Sequence, residues 1–291
     1  MLEIVIDARK AAIGPGMEVR RILPFRLKRM VGPFIFMDHA GPVSIQPQQM
    51  HDMDVLPHPH IGLSTVSYLF DGQVTHRDSL GVQQIIKPGE VNWMTAGRGI
   101  VHSERTGTEL RTTGSPIHGL QMWVGLPAAK EEMAPGFAHH DTPEFPMVVD
   151  NGKRVRVVVG SLYGASSPVP VVHETIFADV HLAAGSSLPL DADHEERAIY
   201  IVDGTLDVAG DKFEPGRLLV FKPGDKITVT AATAAHFVIA GGAPMDGPRH
   251  IWWNFVSSRK ERIEQAKADW KAGHFDKVPG DEIEFIPLPE K

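Results

Sequence analysis

Two short stretches of this chain occur twice, and that repetition limits the fold more than any other feature. Tyr68-Leu-Phe-Asp-Gly72 returns as Tyr200-Ile-Val-Asp-Gly204. Lys87-Pro-Gly-Glu90 returns, at nearly the same offset, as Lys222-Pro-Gly-Asp225. In each copy a strand ending in a Gly turn is followed by a Pro-Gly turn. Two matches in the same order argue for a duplicated β domain, and 291 residues leave room for two. The expected organisation is a first barrel over residues 1–132, a linker over 133–148 rich in charge, Pro and His, and a second barrel over 149–291.

Short apolar alternations support the all-β reading. They cover Thr65–Phe70, Gln83–Ile86, Val91–Met94, Val155–Leu162, Ile199–Val202, Leu218–Phe221 and Ile227–Val229, each bounded by Gly, Pro or Asp. The 28 glycines and 23 prolines are spread along the chain, as many turns between short strands require. One segment departs from the pattern. Ser258-Arg-Lys-Glu261 reads as a capping box, with Ile263, Ala266 and Trp270 on one face and Gly273 as a stop, which predicts a C-terminal helix.

Composition removes several chemistries. With no cysteine there is no disulfide framework, no thiolate metal site and no cysteine nucleophile. A formal net charge of -7 offers no basic footprint for direct nucleic-acid binding. Nucleophile-elbow, P-loop and dinucleotide glycine motifs do not occur; Gly97-Arg-Gly99 lacks a third glycine. The opening Met1-Leu-Glu-Ile-Val-Ile reads as a strand and not a signal peptide, and no apolar run is long enough to cross a membrane. The expectation is a soluble cytoplasmic protein.

What remains is histidine with carboxylate. His58-Pro-His60 places two imidazoles at i and i+2, on one face of a strand. His102-Ser-Glu104 repeats that spacing after a Gly-rich turn. Two adjacent strands would then present three imidazoles and a carboxylate to one cation. That donor set suits one divalent transition metal, Fe(II), Mn, Cu, Ni, Co or Zn, better than Ca(II) or Mg(II). Two open positions would remain for water, dioxygen or a bidentate substrate.

These residues also carry a resemblance. His58-Pro-His60-Ile-Gly-Leu-Ser-Thr-Val-Ser-Tyr68, His76-Arg-Asp78 and the run Trp93-Met-Thr-Ala-Gly-Arg-Gly-Ile-Val-His-Ser-Glu104 resemble the signature of the pirin family. Pro33-Phe34 to Asp38, His118-Gly-Leu-Gln-Met-Trp123 and the closing helix extend the likeness over nearly the whole chain. The resemblance implies a bicupin: two antiparallel, jelly-roll-like β-barrels with a C-terminal α-helix. It implies one metal, commonly iron, held by His58, His60, His102 and Glu104, and no further cofactor. It also implies a quercetin 2,3-dioxygenase-like activity on a flavonol and O2, with Glu104 as the base for the substrate hydroxyl. The alternative it implies is a metal- and redox-responsive binding protein that modulates a transcription or metabolic partner without turnover.

Other positions draw definite expectations. Many pirins have Glu where this chain has Ser64, and strand parity would put Ser64 on the face of His60. At the offset of the first repeat, His58 and His60 fall on Leu190 and Ala192, so the second barrel is expected to lack the metal; His194, Glu196 and His236 are scattered. His76 and Asp78 are read as partners that orient a ligand histidine, and His118 as strand packing. Phe34, Phe36, Met37, Trp93 and Met94 are read as core, His139-His140 as solvated.

Overall fold

The computed structural model describes residues 1–13 and 17–290. The chain opens with β1 (Leu2–Asp7), β2 (Arg9–Ile13), β3 (Met17–Leu23), β4 (Phe34–Ile45), β5 (Val55–His60) and β6 (Leu63–Asp71). Next come β7 (Val74–Asp78), β8 (Gln83–Ile86), β9 (Val91–Thr95), β10 (Ile100–Arg105), a single helical turn α1 (Leu110–Thr113), β11 (Ser115–Gly125) and β12 (Gly136–His140). The later strands begin with β13 (Met147–Asp150), β14 (Lys153–Val159), β15 (Ser161–Leu162), β16 (Ala165–Ser166), β17 (Thr175–Leu182), β18 (Ser187–Leu190) and β19 (Glu196–Asp203). They end with β20 (Leu206–Val208), β21 (Asp211–Phe213), β22 (Arg217–Phe221), β23 (Ile227–Ala231), β24 (Ala235–Gly242), β25 (His250–Trp252) and β26 (Phe255–Ser257), before helix α2 (Lys260–Ala272).

The duplication is real and extends to topology. One half builds a seven-stranded sheet ordered β12-β9-β6-β11-β4-β3-β2 and a four-stranded sheet ordered β5-β10-β7-β8. The other half builds β1-β22-β19-β24-β17-β14-β13 and β18-β23-β20-β21, the same plan position by position. Each half is a jelly-roll-like pair of sheets that stay open and do not join into a continuous barrel.

This correspondence validates one repeat and corrects the other. Tyr68–Gly72 and Tyr200–Gly204 end the equivalent strands β6 and β19. Gly72 and Gly204 both have positive φ, and a Cβ there would overlap the carbonyl oxygens of Pro116 and Ala234. The turn equivalent to Pro88-Gly89 is Pro215-Gly216, not Pro223-Gly224. Gly89 N donates to Leu69 O at 2.8 Å, and Gly216 N donates to Ile201 O at 2.8 Å. Lys222-Pro-Gly-Asp225 instead precedes β23, whose counterpart β10 follows the Gly97-Arg-Gly99 turn.

Contacts divide the chain into two units whose limits differ from the contiguous ranges expected. The C-terminal unit gathers Met1–Lys10, Arg20–Met37 and His140–Met245; the N-terminal unit gathers Ala11–Val19, Asp38–His139 and Asp246–Lys291. The opening strand β1 pairs with β22, so the first residues complete a sheet of the later half. Residues 133–148 are no free linker, because β12 lies at the edge of the sheet beside β9. Edge pairing depends on unsatisfied backbone groups of a distant strand, and no local pattern encodes it.

Side-chain alternation fills each core. In the C-terminal unit, Val155 and Val157, Ala178 and Val180, Ile199 and Ile201, Leu219 and Phe221, and Phe237 and Ile239 point inward. Each fully buried large aliphatic or aromatic side chain stabilises the fold by roughly 1.5–3 kcal/mol. In the N-terminal unit α2 packs Ile263 and Ala266 against Ile61 and Phe255, and Gly273 closes it with φ 71. The start of α2 differs from the capping-box reading: the N-cap is Arg259, and Ser258 bonds Glu131 through its amide and hydroxyl.

Candidate metal centre

His58 and His60 occupy the end of β5, and His102 lies on β10 directly opposite His58. The i, i+2 spacing turns both β5 imidazoles to one face, and the antiparallel pairing brings the third to meet them. Their ring centroids stand 5.0, 4.4 and 5.0 Å apart, and ligating nitrogens of all three lie within 4.8 Å of one another. All three are buried. Burial is the first cause that depresses each imidazole, His58 to about 4, with His60 and His102 further depressed by neighbouring histidines. Neutral imidazole is the form that ligates a metal.

Hydrogen bonds select the tautomer. His58 Nδ1 donates to Leu56 O at 2.8 Å, and His60 Nδ1 donates to Asn254 O at 3.2 Å. A carbonyl can only accept, so both Nε2 atoms are left with lone pairs. Asp78 is fully buried and accepts His76 Nε2–H at 2.9 Å, as well as the amides of Leu80 and Val82. His76 Nδ1 then accepts from His102 Nδ1 across 3.4 Å, which frees the third Nε2. The Nε2 atoms of His60 and His102 face each other at 3.1 Å. Two lone pairs at that distance repel unless a cation lies between them, so this donor set fits a metal ion.

Glu104 stands apart from the histidine group: it falls outside the 4.8 Å cluster. The β5–β10 register shifts between His102 and Glu104, setting Glu104 opposite Val55 on one side and His76 on the other. Burial draws its carboxyl up from the ordinary range, against the opposing effects of His76 and the Ser67 hydroxyl. With Asp38, Ser67, Gln73, Arg105, Thr106 and Gln121 it contributes polar groups to a mainly apolar cavity of about 90 Å³, walled by Met50, Met53, Val55, Val74, Ile86 and Ile117.

The Ser64 expectation needs correction. β5 ends at His60, Gly62 turns with φ 70, and β6 starts at Leu63, so strand parity does not carry from His60 to Ser64. Ser64 bonds Thr95 Oγ1 at 3.1 Å, whereas Ser67, an odd number of positions on, lines the cavity. Phe34, Phe36, Met37, Trp93 and Met94 are core and do not line that cavity. His118 pairs with His39 at 2.9 Å and is not in the cluster. His139 and His140 are not simply solvated: they bond Asn92 and Glu144. Sequence reasoning missed Leu56 and Asn254, whose contribution is a backbone carbonyl with no side-chain signature.

Register assigns the counterparts of these residues in the other half. Leu188 faces Val229 as His58 faces His102, and Leu190 faces Ile227 as His60 faces Ile100. Leu206 and Val208 stand for His76 and Asp78, and Ala231 for Glu104. The counterparts of His58 and His60 are thus Leu188 and Leu190, not Leu190 and Ala192. All of these side chains are buried in the apolar core, so the same positions hold hydrocarbon in one unit and the polar cluster in the other.

Comparison with known proteins gives the family and agrees with the fold. The family model described as Pirin matches residues 16–124, and that described as the Pirin C-terminal cupin domain matches residues 177–276. The chain belongs to the pirin family. A pirin-like protein of Caulobacter vibrioides is 48% identical over 291 residues, 100% of both chains. A Pseudomonas aeruginosa relative with a provisional quercetin 2,3-dioxygenase name is 36% identical over 293 residues, covering 98% of this chain and 90% of its own. The crystal structure of a quercetin 2,3-dioxygenase from Acinetobacter baumannii superposes with a TM-score of 0.90 at 32% identity, covering 99% of this chain and 95% of that one. Among the described residues no helix is long and apolar enough to cross a membrane.

Proposed function

We propose that this pirin is a mononuclear metal-dependent dioxygenase acting on a flavonol such as quercetin, with His58, His60 and His102 holding a divalent ion, Fe(II) first among the candidates. The observation that carries the reading is the three buried imidazoles whose ligating nitrogens lie within 4.8 Å of one another, with Glu104, two residues past His102, lining a mainly apolar cavity. A bound divalent ion supplies Lewis acidity that lowers the pKa of a hydroxyl placed on it. Glu104, partly buried and drawn up in pKa, accepts that proton or completes the ligand set by turning toward the histidines. The Ser67 hydroxyl, which donates to Gln121 Oε1 at 2.9 Å, stands beside its carboxyl. The apolar wall excludes water from the aromatic rings.

One observation favours a second reading. A cavity of about 90 Å³ is well below the roughly 300 Å³ of typical small-molecule pockets, so a flavonol enters only if the wall opens. A metal- and redox-responsive protein that modulates a transcription or metabolic partner needs no such opening.

The two readings separate in one experiment. Protein loaded with Fe(II) under anaerobic conditions is mixed with quercetin and air, and flavonol absorbance and carbon monoxide are followed. Turnover lost in His102→Ala supports the dioxygenase. Equal rates in both proteins sink it, and partner capture that depends on iron oxidation state then supports the alternative.

A further inference from the structure

The C-terminal unit holds a second group of donors, on the opposite face of its sheet from the apolar core. Asp179 and His181 are i and i+2 on β17, and His236 on β24 is directly opposite His181. Their inward neighbours Ala178, Val180 and Phe237 are core, so these three side chains share the outer face. Asp179 Oδ1 accepts from His236 Nε2 at 2.7 Å and lies 3.8 Å from His181 Nε2. The two imidazoles stack at 4.1 Å between centroids, 12° from parallel, with both Nε2 atoms toward one carboxylate.

We propose that Asp179, His181 and His236 form a second divalent-metal site, which takes an anionic co-ligand from the adjoining groove. The ligating atoms of all three lie within 4.8 Å of one another. Two imidazoles and one carboxylate are a borderline donor set suited to Zn(II), Co(II), Ni(II) or Cu(II). Three protein ligands leave coordination positions open. His181 and His236 line a groove of about 520 Å³ together with Gly152, Lys153, Arg154 and Asp203, which is where a co-ligand would enter.

Neighbouring charges shape the site without blocking it. Arg156 lies 3.7 Å from Asp179 Oδ2 and so steadies the carboxylate while Oδ1 serves the ion. Arg154 is the cross-strand neighbour of His181, and Lys153 precedes it on β14. These cations weaken a bare ion, and the same cations favour a carboxylate or phosphate oxygen in its open positions. Burial and the neighbouring His236 hold His181 below its ordinary range, although Asp179 opposes them, so neutral ring is available near neutrality. His181 is 50% exposed and contributes nothing to the core, which makes it the safest position to alter.

The test counts metal on the full chain after chelator treatment. Co(II) is titrated into the unaltered protein, His181→Ala and His102→Ala, with bound metal measured by equilibrium dialysis and by visible spectra. The expected result is two equivalents in the unaltered chain. His181→Ala loses one equivalent without a change in the thermal midpoint of the metal-free protein, and His102→Ala loses the other. A single equivalent that only His181→Ala removes supports this site while defeating the His58–His60–His102 reading. Equal stoichiometry in the unaltered chain and His181→Ala overturns the proposal, and His181→Gln repeats the count if the alanine variant folds poorly. Acetate is expected to tighten the His181-dependent equivalent severalfold; no change overturns the anionic co-ligand.

Discussion

Asp78→Asn is expected to weaken metal binding at His102 although the hydrogen bonds of the Asp78 carboxylate go to His76, Leu80 and Val82 and to none of the three clustered histidines. The carboxylate accepts three bonds: the amides of Leu80 and Val82 on Oδ1 at 2.9 and 3.1 Å, and His76 Nε2–H on Oδ2 at 2.9 Å. In the asparagine variant the amide oxygen keeps the two backbone donors, and the NH2 group faces His76 Nε2. Two donors cannot share that contact, so His76 moves its proton to Nδ1 and offers Nε2 as acceptor. His76 Nδ1–H then opposes the Nδ1–H of His102 at 3.4 Å and drives the His102 proton onto Nε2. The inward lone pair is lost. Altering such an outer partner costs about 10–100-fold in metal affinity, or about 1.4 to 2.7 kcal/mol. The fold loses about 1 kcal/mol, since two bonds survive unchanged and the third re-forms with its direction reversed and without the carboxylate's charge. Competition with a chromophoric chelator measures the affinity, and nitrogen NMR of the metal-free protein reads which His102 nitrogen is protonated. An affinity within about twofold of the unaltered chain, with the His102 proton still on Nδ1, would refute the relay.

Three further outcomes are expected. Metal-free protein loses stability as pH falls: His58 has a folded pKa near 4 against 6.5, so its contribution is full above 6.5 and disappears on descent toward 4. That is about 3 kcal/mol from this group, with His60 and His102 in the same direction and Glu104, drawn up, in the opposite one; denaturant midpoints from pH 7 to 4 check it. Asp281→Ala removes the acceptor of Ser103 Oγ at 2.7 Å and of Arg105 Nε at 2.9 Å, on either side of Glu104. A destabilisation of about 2–3 kcal/mol and faster proteolysis of residues 274–290 are expected, and an unchanged thermal midpoint would count against this anchoring. Gly72→Ala meets both a positive φ and the Pro116 carbonyl, so a loss of more than about 1 kcal/mol in chemical denaturation is expected, and a neutral result would contradict the close approach.

Much of this protein is legible in one dimension. Strand periodicity places His58 and His60 on one face, and the His102-Ser-Glu104 spacing marks the partner strand, because side chains alternate with a period that the residue order preserves. The Tyr68–Gly72 repeat reports the duplication for a similar reason: a positive-φ turn beside a neighbouring carbonyl admits only glycine. The second repeat misled, since Pro-Gly turns recur wherever a strand begins and only the Gly89–Leu69 and Gly216–Ile201 bonds identify which are equivalent. Local residue order therefore determined the donor types, their spacing and the class of fold. Tertiary structure alone decided that β1 completes the later half, that Asn254 O fixes the His60 tautomer, and that Glu104 stands off from the histidines. Those choices rest on backbone groups and register between strands far apart in the chain, and neither leaves a mark in residue identity.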